Sequence, residues 1–228
     1  MMERAPLIIF DCDGVLVDSE PLSIRVLVDT VKAHGGELDE AEAYRRFLGR
    51  SLATMVSVLD ETFGVEADQA FLDRMRADLY ARFEQELQPI AGIAAVLQTL
   101  DWRFCVASSS QPERIRLSLG LTGLVDFFEP HIFSATMVKN GKPAPDLFLY
   151  AAEQMGVAPE NCVVIEDSPA GILAAQRAGM AVFAFTGGSH ADREEYRADI
   201  KALAPDVEFD AMSDLIHLVQ HYIEGCNR

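Results

Sequence analysis

Leu7-Ile8-Ile9-Phe10-Asp11-Cys12-Asp13-Gly14-Val15-Leu16-Val17-Asp18-Ser19 decides the fold: a four-residue apolar run ends in two carboxylates two positions apart, followed by glycine. The run has the length of a buried strand and is too short for a helix. Side chains at i and i+2 of a strand share a face, and the turn that Gly14 permits can re-aim Asp13, so both carboxylates can converge on one bound group. One carboxylate can act as a nucleophile and its neighbour as an acid.

Working outward, the apolar runs Phe104-Ala107, Val163-Ile165 and Ala181-Phe185 alternate with helical patterns. That alternation predicts a parallel sheet built from βαβ units, an α/β core of Rossmann-like type. A helix is predicted over 169–178, with Ser168 as N-cap, Pro169 in the first turn and Gly179 just past the end. Another starts near Pro112, after Ser108-Ser109-Ser110, and stops at Gly120.

Between Asp18 and about Pro89 the period changes. Strand-like runs vanish, and a helical stripe such as Phe71, Leu72, Met75, Leu79, Phe83 and Leu87 replaces them. Gly35-Gly36 and Gly64 divide this stretch into helices near 20–34, 39–47, 51–63 and 68–87, enough for a small helical bundle. The predicted organisation is a catalytic core of residues 1–17 and 89–228 with a helical cap, 18–88, inserted after the first strand. Ligands of open α/β sheets bind beyond the carboxyl ends of the strands, so an insert at that edge is placed to act as a lid.

Composition narrows the function. The chain has 228 residues, half of them hydrophobic, and a formal net charge of −17. A chain of this size buries roughly 70% of its unfolded surface, which allows a substantial core. The negative charge disfavours nucleic acid and anionic lipid as partners, both of which call for clustered Lys and Arg. No run of about 18 apolar residues predicts a membrane span, and Leu7-Phe10 is too short for a signal-peptide core, so the expected location is cytoplasmic. The expected partner is a small molecule, and the expected state a monomer or weak homo-oligomer. Cys12, Cys105, Cys162 and Cys226 show no Cys-x-x-Cys spacing; three lie in apolar, strand-like runs and read as reduced, buried thiols.

Polar groups end or closely follow predicted strands in four places: Asp11 and Asp13; Ser108 and Ser109; Lys142; Glu166 and Asp167. In a doubly wound sheet all gather at one edge. Four carboxylates within about 5 Å would repel by roughly 3 kcal/mol per ionised pair at an effective dielectric near 20, so the cluster calls for a cation. An all-oxygen donor set without His or Cys suits a hard ion, and Mg²⁺ held by carboxylates and a substrate phosphate fits best. Glu166-Asp167 also reads as helix N-capping, with Asp167 or Ser168 as the cap. The serine run can hold an anion on hydroxyls and free backbone N–H groups, or simply cap a helix. Lys142, fixed between Gly141 and two prolines, is placed to neutralise phosphate and nucleophile, the other reading being an exposed loop lysine. Gly187-Gly188-Ser189-His190, after the last predicted strand, reads as a flexible surface loop, with lining of the site as the other possibility.

With these residues in place the chain resembles the haloacid dehalogenase superfamily, in the branch whose helical cap follows the first motif. Asp11-x-Asp13-Gly14-Val15-Leu16-Val17-Asp18-Ser19 resembles its first motif and Val106-Ala107-Ser108 its second. Gly141-Lys142-Pro143-x-Pro145-Asp146 resembles the third, and Ile165-Glu166-Asp167-Ser168-x-x-Gly171 the fourth. The resemblance implies Asp11 as nucleophile, Asp13 as general acid and then base, and Ser108 and Lys142 on the phosphate; Ser109 of the same serine run is a further phosphate-binding candidate. It also implies Mg²⁺ held by Asp11, the Asp13 carbonyl and Asp167, with Glu166 close by. The activity it implies is hydrolysis of a small phosphorylated metabolite through an aspartyl phosphate.

Three other readings compete. A 2-haloacid dehalogenase needs neither Asp13 nor Mg²⁺. A phosphomutase of the β-phosphoglucomutase type shares the four motifs but carries a histidine twelve residues after the nucleophile, where this chain has Ser23. Its cap loop supplies a lysine and an arginine roughly where Leu48 and Leu52 fall. These departures favour hydrolysis, with Ser23 and Arg50 as the candidate substrate-facing residues of the cap. A phosphoacceptor switch domain shares the acidic cluster, the hydroxyl and the lysine, but such domains resemble only half this chain and have no use for a helical lid. The segments Arg45-Arg46-Phe47-Leu48-Gly49-Arg50 and Phe83-Glu84-Gln85-Glu86-Leu87-Gln88-Pro89 look similar to caps of 6-phosphogluconate phosphatase-like members.

Overall fold

The computed structural model describes residues 5–48 and 52–226. The chain divides into two compact units, one formed by Met1–Asp18 with Gln88–Arg228 and the other by Ser19–Leu87.

The first unit is built on strands β1 (Leu7–Phe10), β2 (Arg103–Ser108), β3 (Ile132–Ser134), β4 (Cys162–Glu166), β5 (Ala181–Phe185) and β6 (Val207–Phe209). They form one parallel sheet in the order β3-β2-β1-β4-β5-β6. The order reverses between β1 and β4, so the crevice of this sheet opens beyond Phe10 and Glu166. Every residue of β1 is fully buried, as a central parallel strand covered on both faces requires. The sequence predicts four of these strands. It does not reveal β3 and β6, each three residues long and without enough of a run to carry a pattern.

Residues between and after the strands supply helices in both units: α1 (Glu20–Ala33), α2 (Glu40–Phe47), α3 (Leu52–Phe63) and α4 (Gln69–Glu86), then α5 (Ile93–Thr99), α6 (Pro112–Leu121), α7 (Val125–Phe128), α8 (Asp146–Met155), α9 (Pro169–Arg177), α10 (Glu194–Ala202) and α11 (Leu215–Cys226). Helix α9 starts where its punctuation predicts, with the Ser168 hydroxyl accepting from Gly171 N at 3.1 Å. Phe10, Phe104 and Phe128 pack edge-to-face with ring centroids 5.4–6.3 Å apart. That geometry adds about 0.5–1.5 kcal/mol per pair beyond the area buried. Cys12, Cys105 and Cys162 are buried free thiols. Burial raises all three, with neighbouring carboxylates adding to it at Cys12 and at Cys162, the latter up to about 12, and the Cys162 thiol adding to it at Cys105.

The second unit is a helical bundle of α1–α4. Asp39 caps α2 by accepting from Glu42 N at 2.7 Å, and Asp68 caps α4 by accepting from Phe71 N at 2.8 Å. Val31, Leu59, Phe71 and Phe47 lie in its core. The exposed ion pairs Arg25–Glu86 and Arg82–Asp29 contribute little beside that burial. No described helix is long and apolar enough to cross a membrane.

Candidate active site

The site forms where β1 and β4 run out. Asp11 still belongs to the sheet edge, its N–H donating to the Ile165 carbonyl at 2.9 Å. The chain then turns back: Leu16 and Val17 both donate to the Cys12 carbonyl, and Gly14 takes φ +81°. No side chain fits at that glycine, because a Cβ there would stand 1.9 Å from Asp167 Oδ2. The turn brings Asp13 to the start of α6. There Ser110 Oγ donates to Asp13 Oδ2 at 2.7 Å, and Arg114 Nη2 meets Oδ1 at 2.9 Å.

Lys142 reaches in from the segment before α8, its side chain only 4% exposed and its ammonium 4.8 Å above the centre of the Phe148 ring. Its Nζ donates to Asp11 Oδ1 and to Glu166 Oε1, both at 2.6 Å. The second oxygen of Glu166 accepts from Ser168 N at 2.7 Å and from Ser168 Oγ at 2.9 Å. Gly171 makes room for this carboxylate, since a Cβ there would lie 1.8 Å from Glu166 Oε1. Ser168 caps the helix, which relieves Asp167 of that role.

Asp11, Glu166 and Asp167 are buried, and one carboxylate oxygen from each lies within 4.8 Å of the other two. With all three carboxylates ionised, the single ammonium of Lys142 would leave two negative charges in excess. Burial pushes the Asp11 carboxyl well above its usual range; Lys142 opposes the shift, and Glu166 and Asp167 reinforce it. Asp167 is pushed up in the same direction, by burial first and then by Glu166. Burial alone would lower Lys142, but Asp11 and Glu166 outweigh it and hold the ammonium above its usual value. Two excess negative charges on hard oxygen donors are what a divalent hard cation offsets, so these residues fit Mg²⁺.

Asp11, Lys142, Glu166 and Asp167 thus come together directly, with Asp13 close enough to act on Asp167 electrostatically. Ser108 is buried at the end of β2, where its hydroxyl accepts from Ser110 N at 3.1 Å, and Ser109 beside it is exposed. Ser23 belongs to the other unit, its hydroxyl donating to the Ser19 carbonyl at 3.1 Å inside α1. Arg50 lies outside the described residues.

Sequence reasoning missed Arg114, whose only signal is its place just after the serine run, and the contact of Ser110, the last member of that run, with Asp13. It also misread 187–190 as a flexible surface loop. Gly188 and His190 are buried, and His190 Nε2 lies 3.0 Å from Asp167 Oδ2. The two glycines serve close packing rather than flexibility: a Cβ on Gly187 would stand 2.0 Å from the Asp210 carbonyl, and one on Gly188 2.6 Å from His190 Cε1.

A family model for haloacid dehalogenase-like hydrolases matches residues 5–179. A 6-phosphogluconate phosphatase of Escherichia coli is 33% identical over 190 residues, covering 83% of this chain and 86% of the relative. Among solved structures, a conserved haloacid dehalogenase-like protein of unknown function from Agrobacterium tumefaciens superposes with a TM-score of 0.84 at 33% identity, over 95% of this chain and 98% of the other. A hydrolase of the same family from Deinococcus radiodurans, solved with bound phosphate and sodium, does so at 0.76 and 30% identity, over 96% and 98%.

Proposed function

This chain belongs to the haloacid dehalogenase-like hydrolase family, and from that premise we propose that it is a Mg²⁺-dependent phosphatase acting on a small phosphorylated metabolite. The substrate class is a sugar phosphate or sugar-acid phosphate, such as the 6-phosphogluconate named for the Escherichia coli relative. The observation that carries the reading is the contact of Asp11 with Lys142, beside two further buried carboxylates at the crevice of the sheet.

In this reading Asp11 attacks phosphorus while the bond from phosphorus to the substrate oxygen breaks. Asp13 gives its proton to that leaving oxygen, and the product alcohol departs from an aspartyl phosphate. Asp13, now ionised, takes a proton from water; the resulting hydroxide attacks phosphorus, the bond to Asp11 breaks, and inorganic phosphate leaves. Lys142, at 2.6 Å from Asp11 Oδ1, orients the nucleophile and offsets charge that the phosphoryl group brings. Ser108 and Ser109 are the groups assigned to the phosphate oxygens. Asp11, the Asp13 carbonyl, Asp167 and Glu166 would hold Mg²⁺, which supplies electrostatic stabilisation of the transferring phosphoryl group. Ser23 and Arg50 are assigned to the substrate side.

The test is a phosphate-release screen over sugar, polyol, sugar-acid and nucleotide phosphates with Mg²⁺, with an isomerisation assay on β-glucose 1-phosphate run alongside. Release from a sugar or sugar-acid phosphate that stops in EDTA supports the reading, and release that survives EDTA rejects its metal component. A stable phosphoprotein without turnover would instead indicate a switch, and isomerisation a mutase.

A further inference from the structure

The side of Asp167 that faces His190 is built as carefully as the side that faces Asp11. His190 is buried, with its ring between two glycines: a Cβ on Gly188 would approach Cε1 to 2.6 Å, and one on Gly14 would approach it to 3.0 Å. Nε2 lies 3.0 Å from Asp167 Oδ2 and 3.3 Å from the Tyr196 hydroxyl. The Tyr196 hydroxyl in turn donates to the Asp167 carbonyl. The two rings meet edge to face, 5.2 Å between centroids. The loop carrying His190 is fastened on both sides. Ser189 Oγ donates to Asp18 Oδ1 at 2.8 Å, and Arg197 Nε donates to the Ala191 carbonyl at 2.9 Å.

Hydrogen-bond bookkeeping fixes the roles. The Tyr196 proton is committed to the Asp167 carbonyl, so towards His190 its oxygen accepts. An ionised Asp167 also only accepts, so a proton on Nε2 faces two acceptors, the Asp167 oxygen at 3.0 Å and the Tyr196 oxygen at 3.3 Å. Asp167 thus has a polar partner on its His190 side, while one of its carboxylate oxygens lies within 4.8 Å of oxygens from Asp11 and Glu166. An imidazole N–H can be that partner without a full positive charge, whereas a lysine at the same point would cancel the negative charge on which a cation depends.

We infer that His190, supported by Tyr196, is a positioning residue that orients Asp167 for Mg²⁺, and that Gly188 is glycine because the imidazole occupies the space a side chain would need, as the Asp167 carboxylate does at Gly14. The inference rests on the metal reading proposed above. Its chemistry is that of an outer partner that sets the rotation of a metal-binding carboxylate, for which loss of the partner typically costs about 10–100-fold in metal affinity.

The test is calorimetric titration of Mg²⁺ into the metal-free protein, comparing wild type with His190→Met, which keeps volume and loses the donor, and His190→Gln, which keeps an N–H at about the distance of Nε2. Expected are Mg²⁺ affinity weaker by about 10–100-fold in the Met variant and rescue to within about threefold in the Gln variant. In turnover, the Mg²⁺ concentration for half-maximal rate moves in the Met variant while substrate KM at saturating Mg²⁺ does not. Equal Mg²⁺ affinity in wild type and the Met variant overturns the inference and leaves the phosphatase reading standing. Absence of Mg²⁺ binding by wild type overturns the metal reading and this inference with it. Should the Met variant fail to fold, His190→Asn, whose shorter amide stops short of Asp167, takes its place. Equal affinity in the Asn and Gln variants then overturns the role.

Discussion

Arg114 Nη2 lies 2.9 Å from Asp13 Oδ1, an ion pair between residues 101 positions apart, with the guanidinium 24% and the carboxylate 14% exposed. The second oxygen of Asp13 is taken by Ser110. A carboxylate held at both oxygens is oriented and stays where a leaving group would need it. Replacing the guanidinium, as in Arg114→Gln, is expected to lower kcat about 10-fold with a smaller change in KM, because orientation of an acid–base group acts in the transition state. Steady-state kinetics decide the matter, and an unchanged kcat removes Arg114 from the machinery.

Asp11→Asn takes away the proposed nucleophile and a carboxylate that burial already disfavours in its ionised form. Phosphate release is expected to fall by at least about 10³-fold while the folded structure persists, since Lys142 retains Glu166 as a partner. Circular dichroism beside the release assay checks both halves. Full turnover in this variant would sink the mechanism.

The pH dependence of stability follows from the same burial. Asp11 and Asp167 are raised in the folded protein, so over the range above the ordinary carboxylate pKa the folded state binds protons that the unfolded chain has released. Their contribution therefore falls as pH rises, and ionised carboxylates bind a cation more readily over the same range. The melting temperature gained on adding Mg²⁺ is expected to be larger at about pH 7.5 than at about pH 5, and this difference should shrink in Asp11→Asn. Thermal melts at the two pH values measure it, and an increment independent of pH contradicts it.

Gly171→Ala places a methyl group 1.8 Å from Glu166 Oε1, in a region with no open space. The carboxylate must move away from Lys142, at a cost of about 1–3 kcal/mol for overpacking. A melting temperature several degrees lower and a weakened Mg²⁺ response are expected. A variant that melts and binds Mg²⁺ like wild type would show that Glu166 can shift without consequence.

Strands β1, β2, β4 and β5 were legible because central parallel strands are apolar over most of their length, and runs such as Leu7-Phe10 cannot be mistaken for loops. Edge strands β3 and β6 have three residues each, and β6 alternates half-buried, exposed and buried positions, so neither leaves a pattern. The approach of Asp11, Lys142, Glu166 and Asp167 could be anticipated because each stands at or near a strand end, and a doubly wound sheet brings such ends to one edge. Arg114 and His190 belong to a different kind of contact. Arg114 lies in a helix and reaches Asp13 only through packing, and nothing local marks it. His190 follows two glycines, whose usual association with mobile turns hid their other use, close approach of backbone to a side chain.

The sheet order has a consequence for how the molecule acquires its chemistry. β1 pairs on one side with β2 and on the other with β4, segments that follow it by roughly a hundred residues or more. Lys142 meets Asp11 across 131 positions, and Ser189 meets Asp18 across 171. Each closure has an entropic cost that only non-local packing repays, and the cluster draws on residues spread from Asp11 to Asp167. During synthesis, Asp11 and Asp13 emerge early and remain chemically idle. The candidate centre can therefore be complete only once the chain as far as Asp167 is available to pack, and the His190 loop is supplied later still.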